Sequence, residues 1–195
     1  MNDKILYLIA ALRDANIDSR IGKNYEIKIG QKDQRWLSDV IKPIIESNFG
    51  VRVNIHNNLL RLTNKKAVHE IQRISGIKPF GWNTPEFVKE LTLEERIPYI
   101  RGFWDAEGGL PRKPEKCSRA EQMYISFHQK QKEPLVFIRN SLIRMGYQPT
   151  KITKCSEACE FRITRKAHMK KFCTEIGSWH PEKGERMRRL LTQIS

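Results

Sequence analysis

The sequence repeats one order of short segments, and this repeat limits the folds that the chain can adopt. The first copy starts at residues 25–32, where apolar and polar residues alternate as in a half-buried strand that ends in Gln31 and Lys32. The second copy starts at residues 123–130, alternates in the same way and ends in Gln129 and Lys130. The repeat predicts two similar halves.

Each copy continues with a helix, two short strands and a second helix. In the first copy we expect these segments at 34–48, 51–55, 59–62 and 64–74, with a turn at 56–58 and a break at Gly50. In the second copy we expect them at 133–145, 150–154, 159–163 and 166–176, with a break at Gly146.

An apolar helix opens each half, at about 4–16 and 94–107. The segment 76–92 contains Pro79, Gly81 and Pro85, which suits a linker. The sequence thus predicts an N-terminal half at 1–75, a linker at 76–92 and a C-terminal half at 93–195. Each half is αββαββα in outline. The predicted class is α+β, a saddle of antiparallel strands with helices on one face and polar side chains on the other.

The charge of the chain indicates a polyanionic partner. Lys and Arg number 36 against 22 Asp and Glu, a formal net charge of +14. Such an excess attracts nucleic acid. No apolar run approaches the roughly 18 residues of a membrane helix, so no membrane association is expected. The first 13 residues resemble a helix of the fold more than a signal peptide, so we expect a cytoplasmic location, with an organelle left open.

The polar strand face carries donors and acceptors suited to phosphates and base edges. The predicted DNA contacts on the strands and beside them are Lys28, Lys32, Arg35, Arg52, Asn54, Arg61, Tyr124, Ser126, His128, Lys130, Lys151 and Arg162.

Small residues lie four apart in both opening helices, at Ala11 and Ala15 and at Gly102 and Ala106. This spacing puts them on one helix face, where two helices can pack closely. If the helices run parallel, their C-terminal ends meet. Free carbonyls and an acidic side chain at such an end suit Mg²⁺, which activates water beside a phosphate. The residue that we expect to carry this chemistry is Glu107.

Residues 100–108 resemble the LAGLIDADG motif of homing endonucleases, and the first helix resembles a degenerate copy that ends at Asn16. Two copies, each opening a similar half, strengthen the resemblance, which covers nearly the whole chain. It implies a single-chain, pseudo-symmetric monomer with the motif helices at the interface. Such enzymes bind long, non-palindromic sites in double-stranded DNA and cut both strands across the minor groove with divalent metal, here expected to be Mg²⁺.

The family pattern also implies roles for particular residues. Glu107 matches the metal-binding carboxylate, and Asn16 takes that position in the first half. Each is preceded by an alanine that belongs to the implied metal site, Ala106 and Ala15. The resemblance further implies catalytic roles for Gln31 and Gln129, which order water near the phosphates, and for Lys66 and Lys166, which lie by the nucleophilic water. A one-residue gap makes Lys65 an alternative to Lys66.

The first motif departs from the family, because Asn16 replaces an acid and Ile17 replaces a glycine. An enzyme that works asymmetrically, or an engineered substitution that slows cutting, would explain the asparagine. A different register, in which Asp14 or Asp18 supplies the charge, disrupts the alignment of the small residues and ranks last.

Two further questions stay open at the level of sequence. A non-cleaving binder of nucleic acid, such as a maturase that binds its own intron RNA or a regulator, is the alternative to an endonuclease, and an inactive relic is a third reading. The four cysteines favour free thiols in a reducing compartment, with a Cys155–Cys159 disulfide across a hairpin as the alternative.

Overall fold

The structure is a computed structural model that describes residues 2–18, 25–76, 83–117 and 123–194. It contains two four-stranded antiparallel sheets. The first sheet has the order β1-β2-β4-β3, with strands β1 Ala15–Asp18, β2 Glu26–Gly30, β3 Asn54–His56 and β4 Leu59–Leu62. The second has the order β5-β6-β8-β7, with strands β5 Gly108–Gly109, β6 Ile125–Gln129, β7 Thr153–Cys155 and β8 Ala158–Ile163. The shared order confirms the predicted α+β repeat.

Eight α-helices accompany the sheets in the described part of the chain. They are α1 Asp3–Ala11, α2 Lys42–Phe49, α3 Lys65–Ser75, α4 Glu86–Glu90, α5 Ile97–Glu107, α6 Lys132–Arg144, α7 Lys166–Glu175 and α8 Pro181–Ile194. A π-helical segment, Trp36–Ile41, leads into α2. Helix α4 lies within the segment that the sequence predicts as a linker, and α8 follows the second αββαββα unit without having been predicted.

The strands bury one face and leave the other open. In β2, Ile27 and Ile29 are fully buried, whereas Lys28 between them is half-buried. Phe127 of β6 and Phe161 of β8 are register partners and stack with ring centroids 4.7 Å apart. The period-two alternation in the sequence therefore identified the core face correctly in both halves.

A tight hairpin joins β3 to β4. Asn57 and Asn58 have φ values of 47° and 61°, the left-handed conformation that a two-residue turn of this kind requires and that asparagine tolerates. The predicted turn at 56–58 is thus confirmed, although β3 begins at Asn54 and not at Val51.

Helices α1 and α5 pack against each other along the boundary between the halves. A Cβ atom on Gly102 would lie 2.2 Å from the backbone oxygen of Tyr7, so the two backbones touch there. Helix α1 supplies Leu6 and Ile9 to the core of the second half, and Leu8 and other residues to the core of the first. The close packing expected from the small residues is present at Gly102.

The first opening helix is shorter than predicted. It ends at Ala11, a 3₁₀ turn covers Leu12–Asp14, and β1 then begins at Ala15. Asn16 lies in that strand opposite Lys28, and its side chain is exposed. The expectation that Asn16 ends a helix is wrong. Helical periodicity alone predicts that the helix continues to Asn16, but residues 15–18 pair with β2 as a strand instead.

Cys155 and Cys159 are both free thiols, so the alternative of a Cys155–Cys159 disulfide is not realised. Within the described residues, no helix combines the length and the apolar character that crossing a membrane demands.

We predict that Gly102→Ala destabilises the protein by about 1–3 kcal/mol, because the new methyl group meets backbone that cannot move aside. Unfolding by urea, followed by circular dichroism, measures the change.

The control is Gly184→Ala in α8, where the added Cβ has an ordinary 3.8 Å contact with the oxygen of Ser178. Helix propensity favours alanine at both positions, so the control should be as stable as the parent or more so. Equal stability of the two variants would contradict the proposed backbone contact.

Candidate active site

Glu107 is the last residue of α5, and it is half-buried. Gln129 at the end of β6 donates a hydrogen bond from Nε2 to Glu107 Oε1 at 3.2 Å. Both side chains line a cavity of about 460 Å³, together with Arg13, His128, Lys130, Gln131 and Ala158. The structure therefore brings together two of the residues that the motif and the repeat singled out.

The C-terminal ends of the two motif helices lie close together, as expected. Arg13, just after α1, borders the same cavity as Glu107. Ala106 packs against the core cluster of the first half, which includes Ala11 and Leu12.

Strand register defines which residue of the first half corresponds to Glu107. Gly108 pairs with Phe127, two residues before Gln129. Ala15 pairs with Ile29, two residues before Gln31. The residue that precedes Gly108 is Glu107, and the residue that precedes Ala15 is Asp14. The backbone therefore places Asp14, not Asn16, at the position equivalent to Glu107, which reverses the ranking of registers drawn from the sequence.

Gln31 lies in a second cavity of about 440 Å³. Its backbone N–H donates to the carbonyl of Asn58 at 3.0 Å, which ties the end of β2 to the β3–β4 turn. The other lining residues include Lys32 from the strand end and Lys183 and Arg186 from α8. Each of the two glutamines thus marks a cavity of its own.

Lys66 and Lys166 do not line either cavity. Lys66 is exposed in the first turn of α3 and borders a different pocket, beside Phe49 and Gly50 at the end of α2. Lys166 is exposed in the first turn of α7. Lys32 and Lys130, which directly follow the two glutamines in the chain, do line these cavities, and Lys183 also lines that of Gln31. The sequence had assigned Lys32 and Lys130 to DNA binding only.

Most of the predicted DNA contacts are accessible, both on the strands and beside them. The exposed ones are Lys32, Arg35, Arg52, Asn54, Arg61, Lys130, Lys151 and Arg162, and the half-buried ones are Lys28, Tyr124 and His128. Ser126 is an exception, since it is fully buried and its Oγ donates to the carbonyl of Gly109 at 3.2 Å. The burial of Ser126 contradicts its predicted DNA contact, because its hydroxyl is engaged by the carbonyl of Gly109 and the ring of His128.

Two carboxylates organise the basic side chains of the open strand face. Glu26 lies 2.7 Å from Lys28 Nζ and 3.9 Å from Arg61 Nε. Glu160 is buried and bonds to Arg162, whose guanidinium also lies 4.6 Å from the ring centroid of Tyr124. Glu160 was missed in the sequence, although its position two residues before Arg162 places it on the same strand face.

Asp105, inside the motif, is fully buried and belongs to a structural network. It accepts hydrogen bonds from Tyr7 Oη at 2.7 Å, from the N–H of Trp179 at 2.8 Å and from the N–H of His180 at 3.1 Å. Burial raises the pKa of Asp105, and hydrogen bonds from Ser178, Tyr7 and the N–H of Trp179, with the charge of Lys183, act against that rise. The role of Asp105 could not be found from the sequence, because its partners belong to the unpredicted approach to α8.

Lys183 in the first turn of α8 reaches the end of α5. Its Nζ donates to the carbonyls of Trp104 at 3.0 Å, of Asp105 at 2.7 Å and of Gly108 at 2.7 Å. These carbonyls lie on both sides of Glu107 in the chain. No feature of the sequence had pointed to Lys183.

The donor set at Glu107 fits a hard divalent cation. Among the described side chains, no three His, Cys, Asp or Glu gather to hold a metal alone. A single carboxylate at a helix end suits Mg²⁺, which keeps several waters and commonly shares its site with phosphate oxygens. Lys183 takes the carbonyls of Trp104, Asp105 and Gly108, and leaves out that of Ala106. The residues present are therefore compatible with the ion that the resemblance implies.

Comparisons with known proteins identify related sequences. A family model described as a LAGLIDADG-like domain matches residues 94–177. Homing endonuclease I-ApeI of Aeropyrum pernix is 30% identical over 199 residues, which cover 96% of this chain and 86% of the relative.

Solved structures of I-DmoI have a similar fold. Its complex with DNA and Ca aligns with a TM-score of 0.68 at 17% identity, over 95% of this chain and 97% of that one. Its complex with DNA and Mn aligns with a TM-score of 0.66 at 18% identity, over 90% of this chain and 96% of that one.

The buried ring of His180 generates a prediction about pH. It stacks on Trp36 with centroids 5.2 Å apart, and burial, with help from Lys183, lowers its pKa to about 4. An unfolded histidine has a pKa of about 6.5, so between these values the unfolded state binds the proton and stability falls as the pH falls. We expect His180 to contribute about 2–3 kcal/mol to that loss between roughly pH 6.5 and 4.

His180→Phe keeps an aromatic ring on Trp36 and removes the titrating group. Its unfolding free energy, measured in urea across this pH range, should vary less with pH than that of the parent. His56→Gln, which changes an exposed histidine, is the control. Its unfolding free energy should vary with pH as that of the parent does. If the unfolding free energy of His180→Phe varied with pH as steeply as that of the parent, other groups would cause the acid sensitivity.

Proposed function

This chain belongs to the LAGLIDADG homing endonuclease family, and we propose that it is a site-specific endonuclease that hydrolyses both strands of a long double-stranded DNA target. The observation that carries the proposal is the hydrogen bond between Gln129 and Glu107 at the end of α5, within a cavity beside the open strand face. A metal-binding carboxylate held at the edge of a basic surface is what phosphodiester hydrolysis requires.

We propose that Glu107 holds the divalent ion, with Mg²⁺ as the physiological metal. When bound, such an ion lowers the pKa of a water molecule and stabilises the leaving oxygen. The amide of Gln129 restrains the rotamer of Glu107, the proposed metal ligand, by donating to one of its carboxylate oxygens. Gln31 orders water in the corresponding cavity of the first half.

Asp14 is our proposal for the second metal-binding carboxylate. Strand register gives it the backbone position of Glu107, and it restores an acid to each half. Asn16 lies two residues further along, opposite Lys28 on the open strand face, where an amide side chain is suited to contact DNA. With an acid in each half, we expect both strands to be cut. An asparagine at the metal site would not have supported that expectation.

We also propose that Lys32 and Lys130 replace Lys66 and Lys166 as the basic residues near the reacting phosphates. Lys130 borders the cavity of Glu107, and Lys32 borders that of Gln31. Lys66 and Lys166 lie at the starts of helices outside both cavities.

The two sheets together would bind the target DNA. One chain supplies both halves, so a monomer contains a complete pair of sites, and the halves need not recognise identical sequences. The proposed contacts are Lys28, Arg35, Arg52, Asn54, Arg61, Tyr124, His128, Lys151 and Arg162. The cytoplasmic location and the domain boundaries drawn from the sequence stay predictions.

Glu107→Gln should reduce cutting of at least one strand by about 100-fold or more, because a neutral amide cannot hold the metal, while DNA affinity stays close to that of the parent. The substrate is a supercoiled plasmid with a target selected by the parent protein from a randomised duplex library. Nicked and linear products are resolved on gels with Mg²⁺, and binding is measured with Ca²⁺.

Glu90→Gln, which changes an exposed glutamate of α4, is the matched control and should cut like the parent. Unimpaired double-strand cutting by Glu107→Gln would overturn the proposed role. Tight binding of intron RNA by a parent protein that cuts no DNA would favour a maturase.

The register assignment predicts a difference between Asp14→Asn and Asn16→Ala. Asp14→Asn should stop cutting of the strand that Glu107→Gln leaves intact, whereas Asn16→Ala should still cut both strands. Strand-specific labels on the selected duplex report each product. Loss of metal-dependent cutting in Asn16→Ala, with cutting retained in Asp14→Asn, would restore the alignment drawn from the sequence.

A further inference from the structure

The ammonium group of Lys183 makes an unusual set of contacts at the end of α5. It has three N–H donors, and three backbone carbonyls accept from it at 2.7–3.0 Å. It also lies 5.2 Å from the ring centroid of Trp104, which adds a cation–π contact. These contacts place a positive charge from α8 against the backbone that carries Glu107.

Helix α5 needs such a group, because its own sequence provides little at this end. The last turn contains no basic residue, and Gly108 after it is extended, with φ −88° and ψ 162°, so no left-handed cap forms. The last carbonyls of a helix need outside donors, and Glu107 adds negative charge where the helix dipole is already negative. An ammonium group among those carbonyls offsets both costs.

The start of α8 holds Lys183 in place from two sides. On the α5 side, Asp105 accepts from the N–H groups of Trp179 and His180. On the side of the first half, Asp33 accepts from the N–H of Glu182 at 3.1 Å. Lys183 is therefore attached to a fixed helix start and does not depend on a flexible surface segment.

We propose that Lys183 is a positioning residue for the cleavage centre at Glu107. Its bonds to Trp104 and Asp105 before Glu107, and to Gly108 after it, clamp the backbone on both sides of the metal-binding carboxylate. Without the clamp, the end of α5 frays, and the Glu107–Gln129 hydrogen bond loses its geometry. The inference rests on the proposed endonuclease function and adds a residue outside the motif to its machinery.

The three carbonyls that accept from Lys183 all belong to α5 and Gly108, although its side chain also borders the cavity of Gln31, so its loss should affect the strand assigned to Glu107 more than the other strand. The strand assigned to Glu107 is the one whose cutting Glu107→Gln slows more. Lys183→Met keeps most of the aliphatic stem but removes the charge and the donors. It should slow the same strand by about 10–100-fold, the range typical for a group that orients a metal ligand, so that nicked plasmid accumulates.

Hydrogen exchange gives a readout that does not depend on cutting. Peptides that cover residues 104–110 of the DNA-free protein should exchange faster in Lys183→Met than in the parent, because the end of α5 opens more often. Arg188→Met is the control, since it removes one positive charge from an exposed position on the same helix. It should change neither the exchange of this segment nor the balance between nicked and linear DNA.

Lys183→Arg is a second test variant. It takes the place of Lys183→Met if circular dichroism shows that Lys183→Met does not fold. A planar guanidinium keeps the charge but cannot direct its donors to the same three carbonyls, so intermediate exchange and an intermediate strand bias are expected. Parent-like exchange at 104–110 in both variants, or equal slowing of both strands, would overturn the proposal. A parent protein that cuts no selected target would instead refute the endonuclease function, while the exchange data would still test the clamp.

Discussion

The contact between α1 and α5 at Gly102 determines where everything else in this protein lies. The backbone of α5 meets the oxygen of Tyr7 at a distance that excludes even a methyl group. Helices this close fix each other's position, and α1 supplies side chains to both hydrophobic cores. Because β1 and β5 continue from the ends of these helices, the packing also fixes the two sheets relative to each other.

A buried polar chain adds specificity to that apolar interface. Tyr7 donates to Asp105 and accepts from Trp36 Nε1, each at 2.7 Å, so one hydroxyl joins the first half to the motif of the second. Asp105 in turn binds the backbone N–H groups of Trp179 and His180. Removing one partner would leave a buried polar group with fewer hydrogen bonds, which costs more than losing an exposed hydrogen bond. The network therefore constrains both the interface and the start of α8.

Much of this arrangement could be predicted from the sequence, because it depends on local patterns that occur twice. Alternation in β2 and β6 identified the core face, and the small residue Gly102 indicated close helix packing. The sequence left Asp14 as an alternative to Asn16 and ranked it last, because the end of α1 is set by the pairing of Ala15 with Ile29. Helical periodicity alone cannot detect that pairing. Lys183 was missed for a related reason, as its value comes entirely from carbonyls 75 or more residues away in the chain.

The two halves share a strand order, yet their motif helices end differently, and this difference has a chemical consequence. Helix α5 continues to Glu107 and passes directly into β5, so the carboxylate lies at the negative end of a full helix. Helix α1 stops at Ala11, and a 3₁₀ turn carries Asp14 into β1. Glu107 therefore adds its charge to the negative end of a helix, and Lys183 offsets that charge at the neighbouring carbonyls of Trp104, Asp105 and Gly108.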